Sequence, residues 1–155
     1  MKKEIIQIIC AFLTAGGFLV FFNVRGINVL LGSILGALGW SVYLAFEGVF
    51  QTDVMQYFFG ALALSVGAEI FARIKKTPIT VYIVGGIIPL VPGGTINYAM
   101  KNFVLGNMPE FANKMVYMTK IGGAIALGIA LAHGIVVWIL NVIKCSEKRR
   151  EQNEN

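Results

Sequence analysis

The stretch ITVYIVGGIIPLVPGGTINY, residues 79–98, decides how the chain is read. As a helix, Ile79 to Ile88 covers only about 15 Å of a roughly 30 Å bilayer core. Pro89, Pro92, Gly93 and Gly94 then follow in quick succession. The prolines remove backbone donors and the glycines favour turns, so a regular helix cannot continue through them. Thr95 to Leu105 resumes a helical pattern and adds a second half-span. The pattern predicts one discontinuous helix over residues 79–105, broken near 89–94. The residues alone leave a second reading open, a loop joining two ordinary elements at the membrane interface.

Outward from this stretch, apolar runs occupy residues 5–22, 27–46, 54–72 and 121–143. Each is long enough to cross a bilayer as a helix. Lys2 and Lys3 before the first run resemble the start of a signal peptide, but the run is long and no small-residue cleavage site follows, so it is read as a retained span. Residues 23–26 (NVRG) predict a tight turn, 47–53 a short acidic connection, and Arg73, Lys75 and Lys76 a basic stop before Pro78. Gly106 to Pro109 reads as a loop. Glu110 to Lys120 is amphipathic, lying at the interface or leading into the last span. The expected fold is all-α: a polytopic membrane protein of about five transmembrane helices, the fourth discontinuous, forming one domain over 1–143 with a polar, frayed cytoplasmic tail over 144–155.

Composition agrees. Of 155 residues, 57% are apolar and 14% charged, whereas a soluble domain carries roughly a quarter charged residues. Lipid therefore has to solvate much of the surface. The 18 glycines suit close helix packing: Gly32 with Gly36, the ladder Gly122, Ala126, Ala130, and the ladder Ala124, Gly128, Ala132. The net charge of +5 comes from short clusters beside apolar runs. This reads as topology and contact with membrane lipids, and no nucleic acid is expected. With five spans, Arg25, Arg73, Lys75, Lys76 and the basic tail share one side. Lys2, Lys3, Lys114 and Lys120 share the other with the acidic connection. The positive-inside rule then places the N-terminus outside and the C-terminus in the cytoplasm.

Chemistry-bearing residues are few. Glu69 lies three positions before the end of the third span, with Arg73 four positions after it, giving an (i, i+4) pair. It serves either as an interfacial anchor or as the lining of a polar path that takes a substrate amine or a proton. His133 lies in the last span, as a proton relay or a hydrogen bond to a neighbouring helix. The segment Pro89, Pro92, Gly93, Gly94, Thr95, Asn97 and Tyr98 is the strongest candidate for a substrate path, because a broken membrane helix frees backbone groups that persist only where protein or a water-filled cavity satisfies them. No catalytic residues, metal site or cofactor are expected: zinc-protease, nucleophile-elbow, Walker and C-x-x-C patterns are missing. An enzyme is not the reading, and any transport would be driven by a gradient.

The succession FNVR (22–25), GAEIFAR (67–73), Pro78, IPLVPG (88–93) and Tyr98 resembles the threonine/serine exporter family, specifically its short C-terminal half found as a separate small subunit. The resemblance covers nearly the whole chain. It implies secondary export of a small amino or carboxylic acid across the bacterial inner membrane: threonine or serine in some members, dicarboxylates such as succinate in others. It also implies a larger partner subunit carrying a cytoplasmic N-terminal domain and about five spans of its own. The competing class is a non-transporting scaffold that stabilises a partner.

Overall fold

A computed structural model describes residues 2–50 and 52–153, with side chains other than those of 140 and 143–153. The chain is all-helical among these residues: α1 (Lys2–Phe21), α2 (Ile27–Ala45), α3 (Asp53–Lys75), α4 (Ile79–Ile87), a 3₁₀ turn (Ile88–Leu90), α5 (Gly93–Val104) and α6 (Met108–Asn153). Helices α1, α2, α3 and the 108–139 part of α6 are each long and apolar enough to cross a membrane. The pair α4–α5 qualifies as a fifth span bent by 57° at its break.

Each boundary has a local cause. Asn23 and Gly26 adopt positive φ (59° and 68°), which lets the chain reverse tightly between α1 and α2. Lys76 ends α3 in the left-handed region, its amide bonding Arg73 O while Thr77 N bonds Ala72 O, a C-terminal cap. Pro78 then blocks continuation. Asn107 starts α6, its side-chain Oδ1 accepting from Glu110 N at 3.4 Å. Helix α6 therefore begins at Met108, inside the loop expected over Gly106–Pro109. Pro109 falls in the first turn, where a missing amide costs no intrahelical bond. The amphipathic stretch Glu110–Lys120 is continuous with the last span, and α6 runs on through the tail to Asn153.

Small residues set the packing. Ala11, Ala15 and Leu19 form the buried face of α1 against α2, where a Cβ on Gly36 would sit 2.6 Å from Ala15 Cβ. Gly60 of α3 meets Gly39 of α2, a Cβ there falling 2.9 Å from Gly39 O. Leu35, Leu64, Tyr82, Leu90 and Ile121 fill the centre. The two ladders of α6 part company. Ala124, Gly128 and Ala132 are buried against α3, whereas Gly122, Ala126 and Ala130 face outward. Large apolar side chains such as Ile5, Leu13, Val20 and Leu127 cover the outside, as lipid requires and water does not.

Helices α3 and α6 run parallel and in step. Asp53 pairs with Tyr117, Ser65 with Ile129 and Glu69 with His133, each 64 residues apart. The bundle thus has an N-terminal face, with Lys2, the α2–α3 connection and the α5–α6 turn. Its C-terminal face carries the α1–α2 turn, the end of α3 and the start of α4. The α6 helix, about 69 Å long for its 46 residues, exceeds any bilayer core. Its first three turns extend past the bundle with α5, which packs on α6 alone.

Candidate functional site

The proline–glycine break is seated on the bundle through Leu90 and the half-buried Pro89, whereas Val91, Gly93 and Gly94 are exposed. Ile88–Leu90 tighten into a 3₁₀ turn, and Val91 is extended (φ −69°, ψ 126°), as a residue before proline prefers. Pro92 supplies no amide, so the α4 ladder stops and α5 starts afresh with Ile96 N bonding Pro92 O at 3.1 Å. Leu90 is fully buried between Gly39 and Gly60, and the Pro89 ring lies on Gly36. The glycines of α2 and α3 make the room the kinked backbone needs.

Past the break the environment changes. Gly93, Gly94, Asn97 and Tyr98 are exposed and Thr95 is half-buried. Gly94, Thr95 and Tyr98 line a cavity of about 250 Å³, closed on the other side by Lys114 and Tyr117 of α6. The Lys114 ammonium lies 5.3 Å from the Tyr98 ring centre, within cation–π range. Tyr117 donates its hydroxyl hydrogen to Asp53 Oδ2 at 2.8 Å. Nearby, Tyr57 meets Tyr43 in a tilted contact and Tyr43 stacks on Trp40, at ring separations of 4.7 and 4.8 Å.

Glu69 and His133, distant in sequence, meet at the other end of α3. The Glu69 side chain is 4% exposed. Its Oε2 accepts from the Arg73 guanidinium at 3.0 Å, and its Oε1 is hydrogen-bonded to His133 Nδ1. The carboxylate is thereby held on both oxygens by neighbours on α3 and α6. Helical geometry brings Arg73 there, four residues on; the parallel register of α3 and α6 brings His133. The cluster is open on one flank: the His133 side chain is 58% exposed, and that of Arg73, 46% exposed, lies among Ile70, Ile74 and Val136.

The candidates therefore fall into two groups. Glu69, Arg73 and His133 form one cluster near the C-terminal face. Pro89 to Tyr98 lie toward the N-terminal face, where Leu90 is level with Gly60, nine residues and about 14 Å of helix away from Glu69. Among the described residues no group of three His, Cys, Asp or Glu is placed to hold a metal ion.

A family model described as "Threonine/Serine exporter, ThrE" matches residues 7–135, most of the chain. The chain belongs to the threonine/serine exporter family. No curated protein and no solved structure matches it. Membership makes this exporter-family protein a multi-pass membrane transporter of a small-molecule substrate, in a transporter family and not an enzyme family. The matched span contains both clusters. Sequence reasoning missed several polar groups of the exporter fold. Asp53 and Lys114 read only as topology charges. Tyr117 gave no signal beyond its place one turn after Lys114. Tyr82, fully buried and donating to Asn28 Oδ1 at 2.8 Å, reads as one more apolar position of α4.

Proposed function

We propose that the chain is one subunit of a gradient-driven exporter of threonine/serine-type amino acids, working with a larger partner subunit. In this reading it sits in the bacterial inner membrane with its N-terminus outside and its C-terminus cytoplasmic. The observation that carries the reading is the Glu69 carboxylate, buried within a membrane bundle and held by Arg73 and His133. An ionisable group in such a place is expensive to keep unless it works. A carboxylate in contact with an imidazole has a partner to which it can pass a proton, or it can receive a substrate ammonium in exchange for Arg73. Entry from the cytoplasm would reach Glu69 first and the broken span second, so that Pro89, Pro92, Gly93, Gly94, Thr95 and Tyr98 border the outer part of the path.

The open flank supports a partner. Lipid would face the half-exposed His133 and Arg73 side chains, and polar groups at membrane depth are satisfied by protein or by water-filled cavities. Gly122, Ala126 and Ala130 on the same outward side of α6 allow a foreign helix to approach closely.

The test is efflux from cells loaded with a threonine-containing dipeptide, expressing this chain alone, the larger subunit alone, or both. Export is expected only with both, and is expected to vanish with Glu69→Gln while the two chains still co-purify. Export by this chain alone overturns the two-subunit reading. Unchanged export by Glu69→Gln overturns the role of the carboxylate.

A further inference from the structure

A groove on the flank of the α3–α6 contact belongs to neither cluster described so far. We propose that it binds one anionic phospholipid, with an acyl chain lying along the groove and the headgroup phosphate on Lys120. The assignment goes beyond the exporter reading, because this ligand is a resident lipid that fastens two helices together and not the cargo.

The groove opens where the two helices part. At Gly128 they touch closely, a Cβ there falling 2.7 Å from Phe58 O. At Gly123, little more than a turn earlier, a Cβ would meet nothing within 4 Å. A cavity of about 520 Å³ lies at this point, between Met55 and Phe58 of α3 and Lys120, Gly123 and Leu127 of α6. Met55, Gly123 and Leu127 are exposed, so the groove faces outward, toward lipid.

Its polarity changes along its length. Lys120 and Thr119 stand at the end nearer the N-terminal face, whereas Gly123, Leu127 and Phe58 make the inner part apolar. Lys120 and Leu127 are seven residues apart, about 10 Å of helix. In the register that joins Tyr117 to Asp53 and Ile129 to Ser65, Lys120 is level with Gln56, three residues into α3. From that depth a lysine stem carries its ammonium out to the headgroup layer. The apolar part then runs on into the hydrocarbon. An amphiphile parallel to the helices, charged end outward, has the same gradient.

The charge fits a phosphate. Thr119 spends its hydroxyl hydrogen on Met115 O at 3.0 Å, which leaves Lys120 as the free cationic donor. Among the described residues Lys120 has no ion pair, whereas Lys114 has Glu110 at 3.9 Å. No Asp or Glu lines the groove, so nothing there holds the ammonium of a zwitterionic headgroup, and a net negative one is favoured. Basic pockets between membrane helices are a recurrent way of holding such headgroups. A helix of the larger subunit matches less well. It would have to bring a carboxylate to Lys120, and the outward ladder Gly122, Ala126, Ala130 that suits such a helix does not line the groove.

The experiment uses the full chain, purified in mild detergent. Native mass spectrometry reads its retained lipid, and the delipidated chain is titrated with dioleoylphosphatidylglycerol or dioleoylphosphatidylcholine. One anionic phospholipid is expected to stay bound, and phosphatidylglycerol is expected to bind at least about tenfold more tightly than phosphatidylcholine. Lys120→Gln should remove that preference, and Lys120→Arg should keep it. Gly123→Leu, whose side chain enters the groove without meeting the bundle, should weaken both lipids while the thermal midpoint in detergent stays at the parent value. Lys101→Gln, at an exposed cation of α5, should change neither lipid. Equal affinity of the parent for the two lipids overturns the site. So does phosphatidylglycerol binding that is unchanged by both Lys120→Gln and Gly123→Leu. A photo-crosslinker at position 127, in the complex with the larger subunit, should label phospholipid; labelling of that subunit instead overturns lipid as the occupant.

Discussion

The two ends of α3 handle charge in opposite ways. Near the C-terminal face, Glu69 is buried and both its oxygens are occupied by Arg73 and His133. At the N-terminal face, Asp53 is exposed, with one bond to Tyr117, whose side chain lines the cavity beside Lys114. The first arrangement is rigid and closed on all but one flank; the second is open and under-used. A transporter needs both kinds of place: one where a charge is committed and has to be exchanged, and one where a ligand can dock and leave with little rearrangement. Between them lies the broken span, anchored in the bundle at Leu90 and, beyond Pro92, packed on α6 alone. The contrast teaches that the break is a joint between a packed bundle and a helical hairpin, more than a site in its own right.

Glu69→Gln is the sharpest way to break this comparison. The amide keeps the shape and offers one acceptor oxygen, but it can hold neither a negative charge nor a proton for exchange. Export is expected to fall to the level of cells lacking the chain, measured by threonine efflux, with the protein still monodisperse in detergent. If the closed end were only an anchor, Glu69→Gln would lower the melting temperature and spare efflux.

Leu90→Ala addresses the joint. Leu90 is fully buried between Gly39 and Gly60, and neither glycine has a side chain to collapse into the void. Large-to-small changes at such sites cost about 2–5 kcal/mol, and the effect should appear as a lowered thermal midpoint of the purified protein. A much smaller loss would mean that the kinked segment is not seated in the bundle.

Gly128→Val follows. A Cβ at this position meets Phe58 O at 2.7 Å and Leu62 N at 3.2 Å, backbone atoms that cannot rotate away. Overpacking of this kind costs about 1–3 kcal/mol. Because the clash forces α3 and α6 apart, it should also loosen the contact between Glu69 and His133, which lies five residues further along both helices. The expected signature is a drop in thermal midpoint accompanied by reduced efflux.

How much of this was legible in the sequence differs between the two ends for a physical reason. The spans, the break and the Glu69–Arg73 pair depend on neighbours within a turn or two. Run length, proline and glycine placement and (i, i+4) spacing therefore reveal them. The contact of His133 with Glu69 depends on the parallel register of α3 and α6, a long-range property that no local pattern encodes. The same register joins Tyr117 to Asp53, which is why Asp53 and Lys114 read as topology charges alone. The ladders of α6 show the limit most clearly. Gly122–Ala126–Ala130 and Ala124–Gly128–Ala132 have the same spacing, and only the fold decides that the second is buried.

Asn97 sets the lower bound of the comparison. It follows the break in sequence and invites the same reading as Thr95 and Tyr98, yet those two line the cavity with Gly94 and Asn97 does not. Its side chain is exposed on α5, a helix that packs on α6 alone. Substitutions at exposed positions away from such contacts usually shift stability by no more than about 0.5 kcal/mol. Asn97→Ala is therefore expected to leave the thermal midpoint nearly unchanged, and threonine efflux within about twofold of the parent, whereas Tyr98→Ala removes a cavity wall and the ring beneath Lys114 and should depress efflux further. An Asn97→Ala loss as deep as that of Glu69→Gln would move the working part of the path onto the outer side of the hairpin, and with it the place where a partner helix has to close over the chain.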